Sequence, residues 1–164
     1  RETLVKLDAS MFHITYAQTS LLLAEAIQRG WVNNGETAES AYKKGTQAHM
    51  DQLKQYDSRA AVDATAMATF LNAQKLTTGS ELEQINTQYW VASFLNGPEA
   101  WANFRRSGFP KLTPNPYPGK NIQGDFINRL TYPINESVIN RENYQAAVQR
   151  MGQDNLDTKV WWHK

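Results

Sequence analysis

The chain has 164 residues, 41% apolar and 20% charged, which is enough for a domain with a real core and unlike a disordered tail. Seventeen basic and sixteen acidic side chains leave a net charge of +1, which argues against the concentrated basic surface of a nucleic-acid or anionic-membrane binder. With no cysteine, disulfides, thiolate metal sites and cysteine nucleophiles are excluded.

The longest apolar stretch, Leu21-Leu22-Leu23-Ala24, stops at Glu25, well short of a membrane span. The opening Arg1-Glu2-Thr3 is neither an initiator Met nor a charged-then-apolar leader, so the chain is expected to begin inside something longer. From Phe12 to Arg29, Phe12, Tyr16, Leu23, Ala26 and Ile27 recur at helical spacing, with Asp8 or Ser10 as the start and Gly30 as the stop. Asn33-Asn34-Gly35 then turns the chain. Ala38, Ala41, Tyr42, Gly45, Ala48, Gln52, Leu53 and Tyr56 follow in steps of three and four, and the small residues among them let another helix approach closely. This pair predicts a tetratricopeptide-like αα-hairpin. A third, Ala-rich helix is expected over 60–76. Ser80-Glu81-Leu82-Glu83 reads as a capping box before Ile85, Tyr89 and Phe94. A short fifth helix runs from Pro98 to about Arg106 and ends at Gly108.

The pattern changes at Ser107. The stretch SGFPKLTPNPYPGKNIQGD holds Pro110, Pro114, Pro116 and Pro118 with three glycines, and it lacks periodicity. A loop of this length is functional or a packed strap. Residues 125–132 read as extended, Asn140 as the cap of a last helix through Tyr144, Ala147, Val148 and Met151, and Gly152 as its end. The chain closes on VWWHK, and adjacent Trp161 and Trp162 predict a terminus that docks.

No nucleophile elbow, zinc helix, phosphate loop or dinucleotide fingerprint is present. His13, His49 and His163 lack ligand spacing, so no metal or cofactor is called for, and no catalytic residue is assigned. Glu83 closes a cap and Glu99 suits a helix N-terminus; only Glu25, inside an apolar run, invites a general-acid reading. Five Trp, seven Tyr and six Phe are the positive signal. A glycan site sets flat rings beside amide, carboxylate or guanidinium groups, and Tyr117 in the Pro-rich loop is the best placed ring for that role, with Trp161 and Trp162 at the terminus. In PEAWANFRRSGFP, Trp101, Phe104 and Arg105 share a helical face and Arg105 can complement the helix end, which describes a capped helix with a stacked Arg. Asn135-Glu136-Ser137 matches a glycosylation acceptor but reads as a turn and cap.

Four segments carry a family resemblance. EAWANFRRSGFPKL resembles EAWxxxRRTGxPxL of the SusD/RagB family of nutrient-binding outer-membrane lipoproteins. RLTYPINESVINRENYQAAV is similar to its RxxYPxxExxxNxxNYxxAV. DTKVWWHK resembles its TKVWWDK terminus, with His163 in place of Asp, and ITYAQTSLLLAEAIQRGW resembles ITYAExxFLLAEAxxRGW, with Gln18 in place of Glu. The resemblance implies an all-α, tetratricopeptide-like fold with a long Pro/Gly-rich loop and little strand. It implies the C-terminal portion of a larger domain: a helical array over 1–106, a strap over 107–128, and a C-terminal motif and helix over 129–164. It further implies a non-enzymatic, cell-surface protein that holds an oligosaccharide or a peptide, partners a SusC-like TonB-dependent transporter, and meets the outer membrane through a lipid anchor elsewhere. The competing expectation is a scaffold that grips a peptide or the transporter alone. The matched motifs read as packing and supply no binding residue.

Overall fold

A computed structural model of the chain describes residue 4 and residues 7–163. The opening Arg1-Glu2-Thr3 and the final Lys164 lie outside the described residues. Among the described residues seven α-helices follow one another: α1 (Tyr16–Gln28), α2 (Ala38–Tyr56), α3 (Ala64–Ala73), α4 (Glu81–Ala92), α5 (Gly97–Ser107), α6 (Glu136–Ile139) and α7 (Arg141–Met151). The described residues contain no strand, so the fold is all-α as the sequence predicts. The chain divides into two compact units, residues 1–104 and 105–164.

In the first unit α1 and α2 form the expected tetratricopeptide-like hairpin, and α4 packs on both. The core is Ala17, Leu21 and Ala24 of α1, Ala41 and Tyr42 of α2, and Ile85, Tyr89 and Ala92 of α4. The large residues predicted to bury α1 do not lead it. Leu23 and Ile27 only flank the core, and Tyr16 is 68% exposed. The small side chains are innermost because α2 approaches so closely: a Cβ at Gly45 would sit 2.6 Å from Leu21 Cγ and 3.0 Å from the Ala17 carbonyl oxygen.

Helix α1 also starts later than its periodicity suggests. Thr15 is the cap, neither Asp8 nor Ser10: its hydroxyl accepts the Gln18 N–H at 3.1 Å while Gln18 Oε1 accepts the Thr15 N–H at 3.1 Å. The buried Gln18 amide then donates to Ser93 Oγ at 3.3 Å, which a Glu at this position could not do. Phe12 therefore precedes the helix, where it meets Tyr56 edge-on at 5.2 Å, and Tyr56 meets Phe94 at 6.1 Å. Phe94 was expected on the α4 face but follows the end of α4.

The other caps differ in detail. Helix α3 is shorter than 60–76 because Asp57 caps a 3₁₀ turn over Ser58–Ala60 and Asp63 accepts the N–H groups of Thr65 and Ala66 to start the α-helix afresh. Ser80 stands at the head of α4, yet no capping box forms. Its hydroxyl donates to the Thr77 carbonyl, and Glu81, not Glu83, closes the turn by accepting the Gly79 N–H at 2.8 Å. Between α4 and α5, Tyr89 donates to Glu99 at 2.7 Å and Asn103 donates to Asn86 Oδ1 at 3.0 Å.

In the second unit α6 adds a single turn that periodicity did not reveal. Asn140 precedes α7 without capping it through its side chain, which instead ties to Glu136 and Asn143. Gly152, at φ +94°, ends α7 as predicted. The buried Arg129 organises this unit: its Nη2 lies 3.0 Å from Asp154 Oδ1, its Nε donates to the Leu130 carbonyl at 2.9 Å, and its guanidinium lies 4.9 Å from the Tyr132 ring centre. Tyr132 meets Tyr144 edge-on at 5.9 Å, and Asp154 accepts the Tyr132 N–H and the Tyr144 hydroxyl. The spaced Arg129, Tyr132 and Tyr144 of this region thus converge on the one carboxylate of Asp154.

Candidate functional site

Ser107 still belongs to α5, and the strap from Gly108 to Asn128 is coil held by specific bonds. Tyr117-Pro118-Gly119-Lys120 makes a turn in which the Lys120 N–H donates to the Tyr117 carbonyl at 3.3 Å. Pro118 presets the first corner and Gly119, at φ +83°, supplies the second. The Tyr117 ring sits on this corner, 65% exposed. Downstream, Asp157 accepts the N–H of Gln123 at 3.0 Å and of Gly124 at 2.8 Å, while the Asn128 amide donates to the Asp157 carbonyl at 2.6 Å. A Cβ at Gly124 would press on Asp157 Oδ1 at 3.3 Å, which accounts for glycine there.

These backbone N–H groups, aided by Lys120, hold the Asp157 carboxyl below the usual aspartate range. A carboxyl whose pKa falls on folding stabilises the fold above its unfolded pKa and loses that contribution as pH falls through the lowered value. Amide-exchange protection at Gln123 and Gly124 is therefore expected to decline from about pH 4 downward. Asp157→Asn should lower it at neutral pH and remove the acid transition; an unchanged pH profile in that variant would mean the strap is held by something else.

The terminus docks, but through one indole only. The guanidinium of the buried Arg105 lies 4.6 Å from the Trp162 ring centre, and its Nη1 donates to the Asn128 carbonyl at 2.7 Å. Removal from water lowers the pKa of this Arg. The PEAWANFRRSGFP stretch is thus architecture: Arg105 stacks, as expected, and Gly108 at φ +77° ends the helix. One face of Trp162 is occupied by Arg105, whereas Trp161 is 95% exposed. The structure brings neither Trp into ring contact with Tyr117. Burial, then the charges of Lys159 and Arg105, push the His163 imidazole below its ordinary pKa, so it is neutral at neutral pH.

Glu25 is buried and ion-paired with Arg29 at 2.7 Å, and Arg29 in turn lies 5.2 Å from the Trp31 ring centre. That chain of contacts gives the AEAIQRGW stretch a structural role. Among the described residues no group of side chains is arranged to hold a metal ion, and no helix is long and apolar enough to cross a membrane.

Sequence reasoning missed a groove in the first unit. A cleft of about 680 Å³ runs along α2 beside the segment that enters α1, with Phe12 and Tyr16 on one side, Gln47, Asp51 and Gln55 on the other, and Gln52 in its wall. The signal was present: Gln47, Asp51 and Gln55 recur every fourth residue on a helix whose buried face is mostly small.

Comparison with known proteins agrees with this architecture. The SusD-like family model described as "Starch-binding associating with outer membrane" matches residues 2–133. A solved chitin-binding protein is 40% identical, with a TM-score of 0.87 over 94% of this chain and 34% of that one. A Bacteroidetes AC2a SusD-like protein is 34% identical, with a TM-score of 0.81 over 92% of this chain and 30% of that one. A SusD homologue from Bacteroides vulgatus is 28% identical, with a TM-score of 0.73 over 90% of this chain and 34% of that one. No curated protein matches significantly. The chain spans about a third of the length of these solved relatives. The helical hairpin, the Arg105 and Arg129 motifs and the match to the family model lead to one conclusion: the chain belongs to the SusD-like family.

Proposed function

We propose that this chain is part of a cell-surface, lipid-anchored protein that captures oligosaccharide and passes it to a SusC-like TonB-dependent outer-membrane transporter. The observation that carries the reading is the indole of Trp161, 95% exposed at the end of a terminus that Trp162 anchors. A ring of that size gains little by standing in water, and sugars offer C–H faces that cover it. Tyr117 presents a second flat ring, on a strap pinned by Asp157, and Trp162 supplies an edge. The family description as starch-binding and the chitin-binding relative support the same ligand class. The reading involves no turnover, and Glu25 acts in it as the partner of Arg29 rather than as a general acid.

Calorimetric titration of the protein with starch and chitin oligosaccharides tests this. Trp161→Ala and Tyr117→Ala are expected to weaken binding of one glycan class about tenfold, the loss of one good contact. The melting temperature should stay unchanged, since neither ring is buried. Saturable heat with peptides and none with any sugar would overturn the reading in favour of the tetratricopeptide-like scaffold that the α1–α2 hairpin also suits.

A further inference from the structure

We propose that the C-terminal tail is a pH-sensitive latch, docked while the His163 imidazole is neutral and released when that ring takes a proton. The argument starts from a buried atom. His163 Nδ1 is shielded from solvent and has no hydrogen-bond partner. A neutral imidazole tolerates this at modest cost, because one of its nitrogens carries no proton. The charged ring carries a proton on both nitrogens. Nδ1 then becomes a buried cationic donor without an acceptor, and that cost is far larger.

The charges around the ring act in the same direction. Arg105, near the end of α5, and Lys159, on the tail itself, are the charged groups that act on it, and both are cations. Arg105 is fixed in place: it is 8% exposed, its guanidinium lies 4.6 Å from the Trp162 ring centre, and its Nη1 donates to the Asn128 carbonyl at 2.7 Å. It also keeps its charge throughout the range in which an imidazole titrates. A positive ring at position 163 therefore opposes the same cation that holds the neighbouring indole. Burial and these two cations lower the pKa of the docked ring, so the released tail binds the proton better. Docking is complete above the free value, near pH 6.5, and is lost as pH falls from there toward the docked value.

Release stays local. The Thr158 N–H donates to Asn155 Oδ1 at 2.8 Å and its hydroxyl to the Gln153 carbonyl at 2.6 Å, while Asp157 clasps Gln123 and Gly124. That clasp uses a carboxyl held below the ordinary aspartate range, so it outlasts the latch as pH falls. The stretch that moves is 159–163, which closes in a turn where the His163 N–H donates to the Val160 carbonyl at 2.9 Å. It carries Trp161, so release unfixes the ring on which the glycan-capture reading rests, but the latch stands without that reading.

The test is amide exchange, corrected for its intrinsic pH dependence, on the complete protein without ligand between about pH 8 and about pH 5. Wild type is compared with His163→Gln, which cannot titrate, and His163→Asp, which offers the two cations a carboxylate. In wild type, protection over 160–163 is expected to be lost below about pH 6.5 while protection at Gln123 and Gly124 persists. Both variants should keep the tail protected across the range, and either one suffices if the other docks poorly at neutral pH. His49 is a second ring whose pKa burial lowers, but it lies in α2 and its response is read there. A wild-type tail whose protection ignores pH would overturn the latch, as would the same decline in both variants. Loss at Gln123 and Gly124 in step with the tail would also overturn it, since the whole unit would then be responding. None of these outcomes touches glycan capture, because no sugar enters the experiment.

Discussion

Replacing Arg129 with Met is expected to destabilise the protein by about 3–5 kcal/mol, the cost of breaking a buried ion pair and leaving the other charge uncompensated. The side chains of Arg129 and Asp154 are 8% and 10% exposed, and their closest approach is 3.0 Å. Without the guanidinium, Asp154 keeps only the Tyr132 N–H and the Tyr144 hydroxyl as donors, while Tyr132 loses the cation over its ring. Denaturant unfolding measures the loss, and amide exchange should place it in the second unit. Removing both charges together, Arg129→Met with Asp154→Leu, should recover much of it, because apolar groups of similar volume replace a pair at little net cost. A single-variant loss below about 1 kcal/mol would instead place the pair with ordinary surface salt bridges.

Gly45→Ala is expected to cost about 1–3 kcal/mol through overpacking, even though alanine is the better helix former. The added Cβ would lie 2.6 Å from Leu21 Cγ and 3.0 Å from the Ala17 carbonyl oxygen. A backbone atom on one side and the branch point of a buried leucine on the other cannot swing away, so α1 and α2 must separate. The loss should couple to Leu21: combining Gly45→Ala with Leu21→Ala should cost less than the sum of the single changes, since one removes the atom that the other strikes. Additive losses would show that the Ala17 backbone alone sets the limit, and a gain in melting temperature would show that the helices are not in close contact.

These two positions also show what was readable in advance. The small-residue face of α2 was legible from spacing alone, and Gly45 sits where that spacing predicts a close helix crossing. Its consequence for α1 was not legible. Periodicity singles out Phe12, Tyr16, Leu23, Ala26 and Ile27, whereas Ala17, Leu21 and Ala24 fill the centre because a close crossing has room only for small or well-directed side chains. Caps fared similarly. Gly30, Gly108 and Gly152 stop helices through a local backbone need, and all three have positive φ. Ser80 opens a capping-box pattern but forms none, because its hydroxyl has a competing carbonyl at Thr77, a choice made by the turn before it.

At the candidate site the residues that meet at one point come from distant parts of the chain. Asp157 reaches back to Gln123 and Gly124, and Trp162 reaches back to Arg105. Spacing along a sequence carries no information on such closures, so the two adjacent tryptophans looked alike. One is held by a guanidinium and the other stands in water. The groove on α2 was missed for a related reason. The row of Gln47, Asp51 and Gln55 is visible every fourth residue, but a fully solvated helix face and the wall of a groove have the same periodicity.

Class and kinship were therefore determined by the sequence itself. Helical periodicity, glycine stops and the four ordered motifs are local or linear properties, and they lead to an all-α member of the SusD-like family without coordinates. Only the tertiary structure decided which aromatic rings remain exposed, and that Arg129 shares its carboxylate with two tyrosines. Burial and hydrogen-bond satisfaction depend on what the folded chain brings alongside each group, and that is set by packing between segments tens of residues apart.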